Sequence, residues 1–120
     1  MKILICDDSI LIRKQLKEYL NDCGCTEIVE ASDGQMSVDM YKKSKPDLVF
    51  MDIVMPVKGG IDAVTEILEF DKNAKVVMAS SSGTKTHLKK ALEAGAYEFI
   101  QKPFDENQIK NILANLNKEE

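Results

Sequence analysis

The segment Leu48-Val49-Phe50-Met51-Asp52-Ile53-Val54-Met55-Pro56 places a carboxylate at the end of an apolar run that is followed by a loop. Residues 48 to 51 are wholly apolar, a pattern typical of a parallel strand that is covered on both faces. Charges are seldom buried without a partner, because removing an ion from water is costly. We therefore expect Asp52 to be the chemical centre of the protein, with other elements placing groups around it.

Strand and helix patterns alternate along the whole chain. Short runs typical of strands occupy residues 2–6, 26–31, 48–51, 75–79 and 96–100. Each run is followed by apolar residues spaced three and four apart, as on one face of a helix. This alternation predicts an α/β fold, a doubly wound five-stranded parallel sheet with five helices on both faces. The second and fifth strands mix polar and apolar residues, so we expect them at the edges.

Composition limits the classes of function. The 120 residues, of which 44% are hydrophobic and 30% charged, predict one domain spanning residues 1–120. A net charge of −4 is unfavourable for binding nucleic acid, which needs clustered Lys and Arg. No segment has the length of a membrane span or the pattern of a signal peptide, so we expect a cytoplasmic protein without membrane contact.

Polar residues follow the carboxyl ends of four strands. They are Asp7 and Asp8 after the first strand, Asp52 after the third, Ser80 after the fourth and Lys102 after the fifth. Each residue taken singly could be a helix cap, a turn residue or a solvated charge. In open parallel sheets, however, ligands bind outside the carboxyl ends of the strands, so their joint placement predicts a site.

The residue types predict phosphoryl chemistry at this edge. Neighbouring carboxylates repel by about 4 kcal/mol per pair at about 4 Å with an effective dielectric near 20. A protonated acid, a shared lysine or a divalent cation would offset this repulsion, and an oxygen-only ligand set favours Mg²⁺ or Mn²⁺. Beside such a cation and Lys102, the Asp52 carboxylate can attack a phosphoryl group, while Ser80 donates a hydrogen bond to its oxygens. No nucleotide-binding glycine motif is present, so the phosphoryl donor is expected to be another protein or a small phosphodonor.

Four groups of residues occur in the order that characterises one family. They are Asp7-Asp8 after strand one, Asp52 before Met55-Pro56 with Gly59 or Gly60 following, Ser80 after strand four, and Lys102-Pro103-Phe104. With them, the chain resembles the receiver domain of two-component response regulators and is most similar to stand-alone chemotaxis-type, or CheY-like, regulators. The resemblance covers the chain and implies the flavodoxin-like strand order 2-1-3-4-5. It also implies that Asp52 is the phosphoacceptor, phosphorylated from a histidine of a sensor kinase.

The resemblance further implies how the cation would be held. Asp8 and Asp52 would bind Mg²⁺ directly, together with the backbone carbonyl of Val54, and Asp7 would act largely through water. Lys102 would contact the phosphoryl oxygens, and the peptide bond that follows it, to Pro103, would be cis, an isomer that proline makes accessible.

A switch is implied as well. Ser80 corresponds to the Ser/Thr that moves toward the phosphoryl group, although spacing alone also allows Ser81. Phe99 corresponds to the aromatic residue whose inward rotation reports that movement, whereas the residue pattern by itself also fits a core residue of an edge strand. Helix four, strand five and helix five would then form the surface that a target protein recognises.

By this resemblance the protein is a monomeric signalling protein rather than an enzyme, catalysing only its own phosphoryl transfer and slow autodephosphorylation. Val54 and Ser82 lack the polar groups that place hydrolytic water in fast-decaying members, which predicts slow loss of the phosphoryl group or a separate phosphatase.

Three other functions fit parts of the pattern. One is a single-domain phosphorelay intermediate outside chemotaxis. A second is a metal-dependent aspartyl phosphatase, which would need an acid two residues after the nucleophile, where this chain has Val54. The third is a flavodoxin-like cofactor binder, whose first loop should be rich in Ser, Thr and Gly rather than carry Asp7-Asp8.

Overall fold

Ten elements alternate along the chain in a computed structural model that describes residues 1–81 and 85–118. The strands and helices are β1 (Lys2–Cys6), α1 (Ile10–Asp22), β2 (Glu27–Ala31), α2 (Gly34–Ser44), β3 (Leu48–Asp52), α3 (Gly60–Phe70), β4 (Val76–Ser80), α4 (Lys85–Glu93), β5 (Glu98–Gln101) and α5 (Glu106–Lys118). All four strand pairings are parallel, and the order in the sheet is β2-β1-β3-β4-β5. The predicted fold class, strand order and edge strands are therefore confirmed.

Two hydrophobic layers cover the sheet. Alternate strand residues such as Leu4 and Met51 pack with α2, α3 and α4 on one face. Their sequence neighbours, such as Ile3 and Phe50, pack with α1 and α5 on the other face. Because both faces are covered, β3 and β4 are buried at every position, which explains their continuous apolar sequences.

Side-chain caps fix where the helices near the site begin. Ser9 is the N-cap of α1, and its hydroxyl accepts a hydrogen bond from the N–H of Ile12 at 3.3 Å. Asp33 caps α2 in the same way through the N–H of Met36 at 2.7 Å. These caps satisfy N–H groups that have no partner within the helix, so the strand-to-helix turns are short and defined.

The structure refines three element boundaries. Asp52 and Ser80 are the last residues of β3 and β4 rather than the first residues beyond them, and β5 is shifted to Glu98–Gln101. The register places Asp52 opposite Ala79 and Ser80 opposite Gln101, so the strand ends meet at one edge of the sheet.

Helix α4 is less covered than its sequence pattern indicates. Its apolar residues at helical spacing are Leu88, Ala91 and Leu92. Ala91 is buried, whereas Leu88 and Leu92 are exposed by 39% and 54%. Within residues 1–81 and 85–118, no helix combines the length and the apolar composition needed to cross a membrane.

Candidate functional site

Three carboxylates meet at the carboxyl edge of the sheet. Asp7 directly follows β1, Asp8 comes next in the chain, and Asp52 ends β3, which pairs with β1. One oxygen from each of the three carboxylates lies within 4.8 Å of the others. Asp7 and Asp52 are buried, whereas Asp8 is exposed. The arrangement concentrates negative charge at a point that is open to solvent on the Asp8 side.

Lys102 supplies the opposing charge. Its Nζ atom lies 3.3 Å from Oδ1 of Asp52 and donates to Oδ2 of Asp7. The peptide bond between Lys102 and Pro103 is cis, as predicted. The Lys102 N–H donates to the carbonyl oxygen of Ser80 at 2.9 Å, which anchors the lysine backbone to the end of β4. One ammonium group therefore bridges two of the three acids.

Asp7 is held on all of its polar atoms. Its Oδ1 accepts from the N–H of Ser9 at 2.9 Å, and its Oδ2 accepts from Lys102. Its own N–H donates to the carbonyl oxygen of Ala31 at 3.1 Å, and its carbonyl accepts from Nη1 of Arg13 at 2.6 Å. With both carboxylate oxygens engaged, Asp7 is better placed to act on a cation through water than to bind it directly.

Burial is the largest influence on the charge of Asp52. It raises the pKa of the Asp52 carboxyl, the charge of Lys102 opposes this rise, and the carboxylates of Asp7 and Asp8 add to it. The desolvated anion is therefore incompletely balanced by one lysine. A divalent cation at this edge would favour the ionised form.

Because Lys102 only partly offsets the buried charge of Asp52, we expect Asp52→Asn to stabilise the metal-free protein at neutral pH. Because the folded pKa of Asp52 is raised, folding favours the protonated acid, and stability falls as the pH rises through that pKa. In EDTA at pH 7 we expect the midpoint of thermal unfolding to rise by about 2–5 °C. The difference should shrink as the pH falls toward the ordinary Asp pKa of about 4 and vanish below it, where the carboxyl is protonated in both the folded and the unfolded protein.

The exposed Asp22 at the end of α1 provides the control, because Asp22→Asn removes the same charge away from the cluster. A lower unfolding midpoint for Asp52→Asn at pH 7 would mean that the ion pair with Lys102 outweighs desolvation, contrary to this interpretation.

The cluster fits a hard divalent cation. Carboxylate oxygens from Asp7, Asp8 and Asp52 are the donors that Mg²⁺ prefers, and the described residues bring no His or Cys ligand into the group. Val54 lies in the loop directly after β3, with its side chain 68% exposed. Its position near Asp52 is compatible with the predicted carbonyl ligand.

A close backbone contact shapes the loop after Asp52. The N–H of Gly60, the first residue of α3, donates to the carbonyl oxygen of Ile53 at 2.8 Å. A Cβ atom on Gly60 would lie 2.0 Å from the carbonyl oxygen of Asp52, far inside van der Waals contact. Only glycine allows α3 to begin this close to the end of β3.

The two predicted switch residues lie on the same side of the sheet as α4. Ser80 is buried at the end of β4, and its hydroxyl lies 3.4 Å from Nδ1 of His87 on α4. Phe99 is partly buried against the layer that includes α4, and it pairs in register with Met78, two residues before Ser80. Ser82, which bears on the predicted decay rate, lies outside the described residues.

Three features of the site were not predicted from the sequence. They are the hydrogen bond from Arg13 to the Asp7 backbone, the pairing of Ser80 with His87, and the close contact that requires glycine at position 60 rather than 59. Arg13 lies one helical turn after the N-cap Ser9 and also pairs with Glu30 at 3.1 Å. A basic residue one turn into the first helix was the one available signal, and it is too common to be diagnostic.

The fold and the site define the class of protein. Residues 3–114 match the response regulator receiver domain, and the chain belongs to this family. It is a signalling protein of the CheY type, and receiver domains of this family bind Mg²⁺ at an acidic pocket such as the one described here.

Individual relatives cover nearly the full chain. The chemotaxis protein CheY of Thermotoga maritima is 39% identical over 98% of both chains. Protein CcdB of Bacillus subtilis is 43% identical over 90% of each. A crystal structure of the CheX-CheY-BeF3-Mg complex from Borrelia burgdorferi gives a TM-score of 0.91 at 37% identity, covering 98% of this chain and 89% of that one. Homology to CheY is consistent with a phosphorylation-activated switch in chemotaxis.

Proposed function

We propose that the chain acts as one receiver domain, in which Asp52 accepts a phosphoryl group from a phosphohistidine of a sensor kinase. The observation that carries this proposal is the pairing of Lys102 with both Asp7 and Asp52 beside the exposed Asp8. This arrangement offers a carboxylate nucleophile, a fixed positive charge and an open side for a cation. Phosphoryl transfer needs mainly positioning and charge neutralisation, which these groups can supply.

The cation site follows from the roles of the acids. Asp8 and Asp52 would hold Mg²⁺ with the backbone carbonyl of Val54, and Asp7 would contribute through water. Mn²⁺ has similar ligand preferences and is proposed to substitute. When bound, the cation supplies positive charge that offsets the carboxylate repulsion and the charge on the phosphoryl oxygens.

The transfer itself uses residues of this chain. A carboxylate oxygen of Asp52 forms the new P–O bond as the P–N bond to the donor imidazole breaks. The imidazole nitrogen retains the electron pair and takes up a proton from solvent. Lys102, already 3.3 Å from Asp52, balances charge on the phosphoryl oxygens. The hydroxyl of Ser80 would donate to one of these oxygens after transfer. Phe99 would respond on the face formed by α4, β5 and α5.

This face is proposed to bind the target protein. Leu88 and Leu92 expose apolar surface on α4, next to the charged side chains of Lys89 and Lys90. The complex of CheX with CheY in Borrelia burgdorferi supports a protein partner for a homologue of this chain. Chemotaxis is the pathway we favour, and a phosphorelay outside chemotaxis is the alternative. We further propose a cytoplasmic monomer with slow autodephosphorylation, assisted by a phosphatase.

Phosphorylation by a small donor tests the proposed function. Incubation with acetyl phosphate and Mg²⁺ is expected to add one acid-labile phosphoryl group, detected by intact mass, and borohydride trapping should locate it at Asp52. Excess EDTA should reduce the rate to background, because the carboxylates would then repel the anionic donor. The absence of any mass change with Mg²⁺ would contradict the proposal, and steady turnover of phosphate esters would instead indicate a phosphatase.

A further inference from the structure

The buried hydroxyl of Ser80 lies next to the imidazole of His87. Ser80 is 2% exposed at the end of β4, and His87 is partly buried in the first turn of α4. Their Oγ and Nδ1 atoms are 3.4 Å apart, within hydrogen-bonding range. The chain has one histidine, so this pairing uses the single imidazole available in the sequence.

A serine hydroxyl has one proton to donate. A neutral imidazole with its proton on Nε2 accepts through Nδ1, so Ser80 can donate to His87 in the arrangement described here. Phosphoryl oxygens on Asp52 are also acceptors, and they carry negative charge. With the imidazole in this tautomer, the two acceptors compete for the same proton.

We propose that His87 is a positioning residue that holds the Ser80 hydroxyl toward α4 in the unphosphorylated protein. Phosphorylation of Asp52 would draw the hydroxyl away and break the contact with His87. The inference rests on the proposed function, because it assumes that Asp52 carries the phosphoryl group.

Loss of the Ser80–His87 hydrogen bond would couple phosphorylation at Asp52 to the position of α4, which belongs to the proposed target-binding face. His87 belongs to α4. Among the described residues of this helix, Ala91 is the one that is buried, and Leu88 and Leu92 are exposed. A helix with little buried surface changes position at low cost, so a single lost hydrogen bond can shift its equilibrium. His87 thus links the state of Ser80 to the surface that we propose a target recognises.

Two substitutions at position 87 separate hydrogen bonding from packing. His87→Leu removes both ring nitrogens and leaves an apolar side chain that can still pack. His87→Asn places an amide oxygen at the same number of bonds from Cβ as Nδ1. The measured quantity is the beryllofluoride concentration that half-saturates the protein in the presence of Mg²⁺. Saturation is monitored by the backbone amide resonance of Ser80. Because the resting state loses one hydrogen bond, we expect His87→Leu to lower this concentration by roughly two- to ten-fold. His87→Asn should remain within about two-fold of the wild type.

A double-mutant cycle tests whether the effect passes through Ser80. In a Ser80→Ala background, His87→Leu should have no effect on half-saturation, because the hydroxyl for which His87 competes is absent. Additive effects in the cycle would overturn the inference. If His87→Leu acted only through the packing of α4, its effect on half-saturation would be the same in the Ser80→Ala background.

The wild-type protein offers a measurement that does not depend on any variant folding. The ¹⁵N resonance of His87 Nδ1 should shift when beryllofluoride and Mg²⁺ are added, as the nitrogen loses its hydrogen-bond donor. An unchanged resonance in a protein that binds beryllofluoride would overturn the inference and leave the proposed function intact. A protein that takes up neither beryllofluoride nor a phosphoryl group would contradict the proposed function itself, and the inference with it.

Discussion

Replacing Asp52 with asparagine is expected to reduce phosphoryl incorporation from acetyl phosphate to background. The amide lacks the anionic oxygen that forms the P–O bond, and it contributes less to holding a cation. The fold should persist, because asparagine has nearly the same shape and Lys102 keeps its contact with Asp7. Intact mass measured over time gives the extent of phosphoryl incorporation. Circular dichroism checks that the variant is folded.

Asp62→Asn is the matched control for this loss. Asp62 is an exposed acid in the first turn of α3, ten positions from Asp52 in the chain, and lies outside the carboxylate cluster. The Asp62→Asn variant should incorporate phosphoryl groups at the wild-type rate. Undiminished incorporation in Asp52→Asn would show that another nucleophile reacts and would remove Asp52 from the centre of the chemistry.

Replacing Gly60 with alanine is expected to destabilise the fold by about 3 kcal/mol or more. The added Cβ would lie 2.0 Å from the carbonyl oxygen of Asp52 and 2.9 Å from the Cα atom of Ile53. Neither group can retreat easily, because the N–H of Ile53 is bonded to the carbonyl of Ala79 at 3.0 Å. The helix would have to move away from β3, and with it the apolar layer that α3 contributes to the core.

Gly59→Ala is the neighbouring control. Gly59 has φ −69° and ψ 162°, a conformation open to any residue, and a Cβ there would lie 3.5 Å from the nearest atom. The free energy of unfolding of the Gly59→Ala variant should stay within about 1 kcal/mol of that of the wild type. Gly60→Ala, in contrast, should lower the midpoint of thermal unfolding by about 10 °C or more. Equal midpoints for the two variants in thermal unfolding would contradict the steric explanation.

The two predictions concern the same few atoms at the end of β3. The carbonyl of Asp52 fixes how closely α3 can approach, and the carboxylate of the same residue meets Asp7, Asp8 and Lys102. Structural constraint and the phosphoryl chemistry that we propose therefore coincide at one residue. The coincidence follows from the fold, since the carboxyl edge of a parallel sheet is where strands end and loops are free to carry function.

Much of the site could be predicted from the sequence because it depends on local patterns. The apolar run ending in Asp52 indicated a central strand, and the alternation of strand and helix patterns required parallel pairing. Parallel strands bring their carboxyl ends to one edge, so Asp7, Asp8, Asp52 and Lys102 could be placed together without knowledge of any contact. The structure confirms that placement by the distances among the carboxylates and to the lysine.

Tertiary structure alone decided the pairings between residues that are distant in the chain. Lys102 bridges Asp7 and Asp52, Ser80 meets His87, and Gly60 rather than Gly59 lies against the Asp52 carbonyl. The same holds for α4, whose leucines fit an inner face by spacing yet remain exposed. Periodicity and turn residues fix which elements form and how they are ordered, because these signals are local. Contacts depend on register, helix placement and rotamer, which are settled only when the whole core packs.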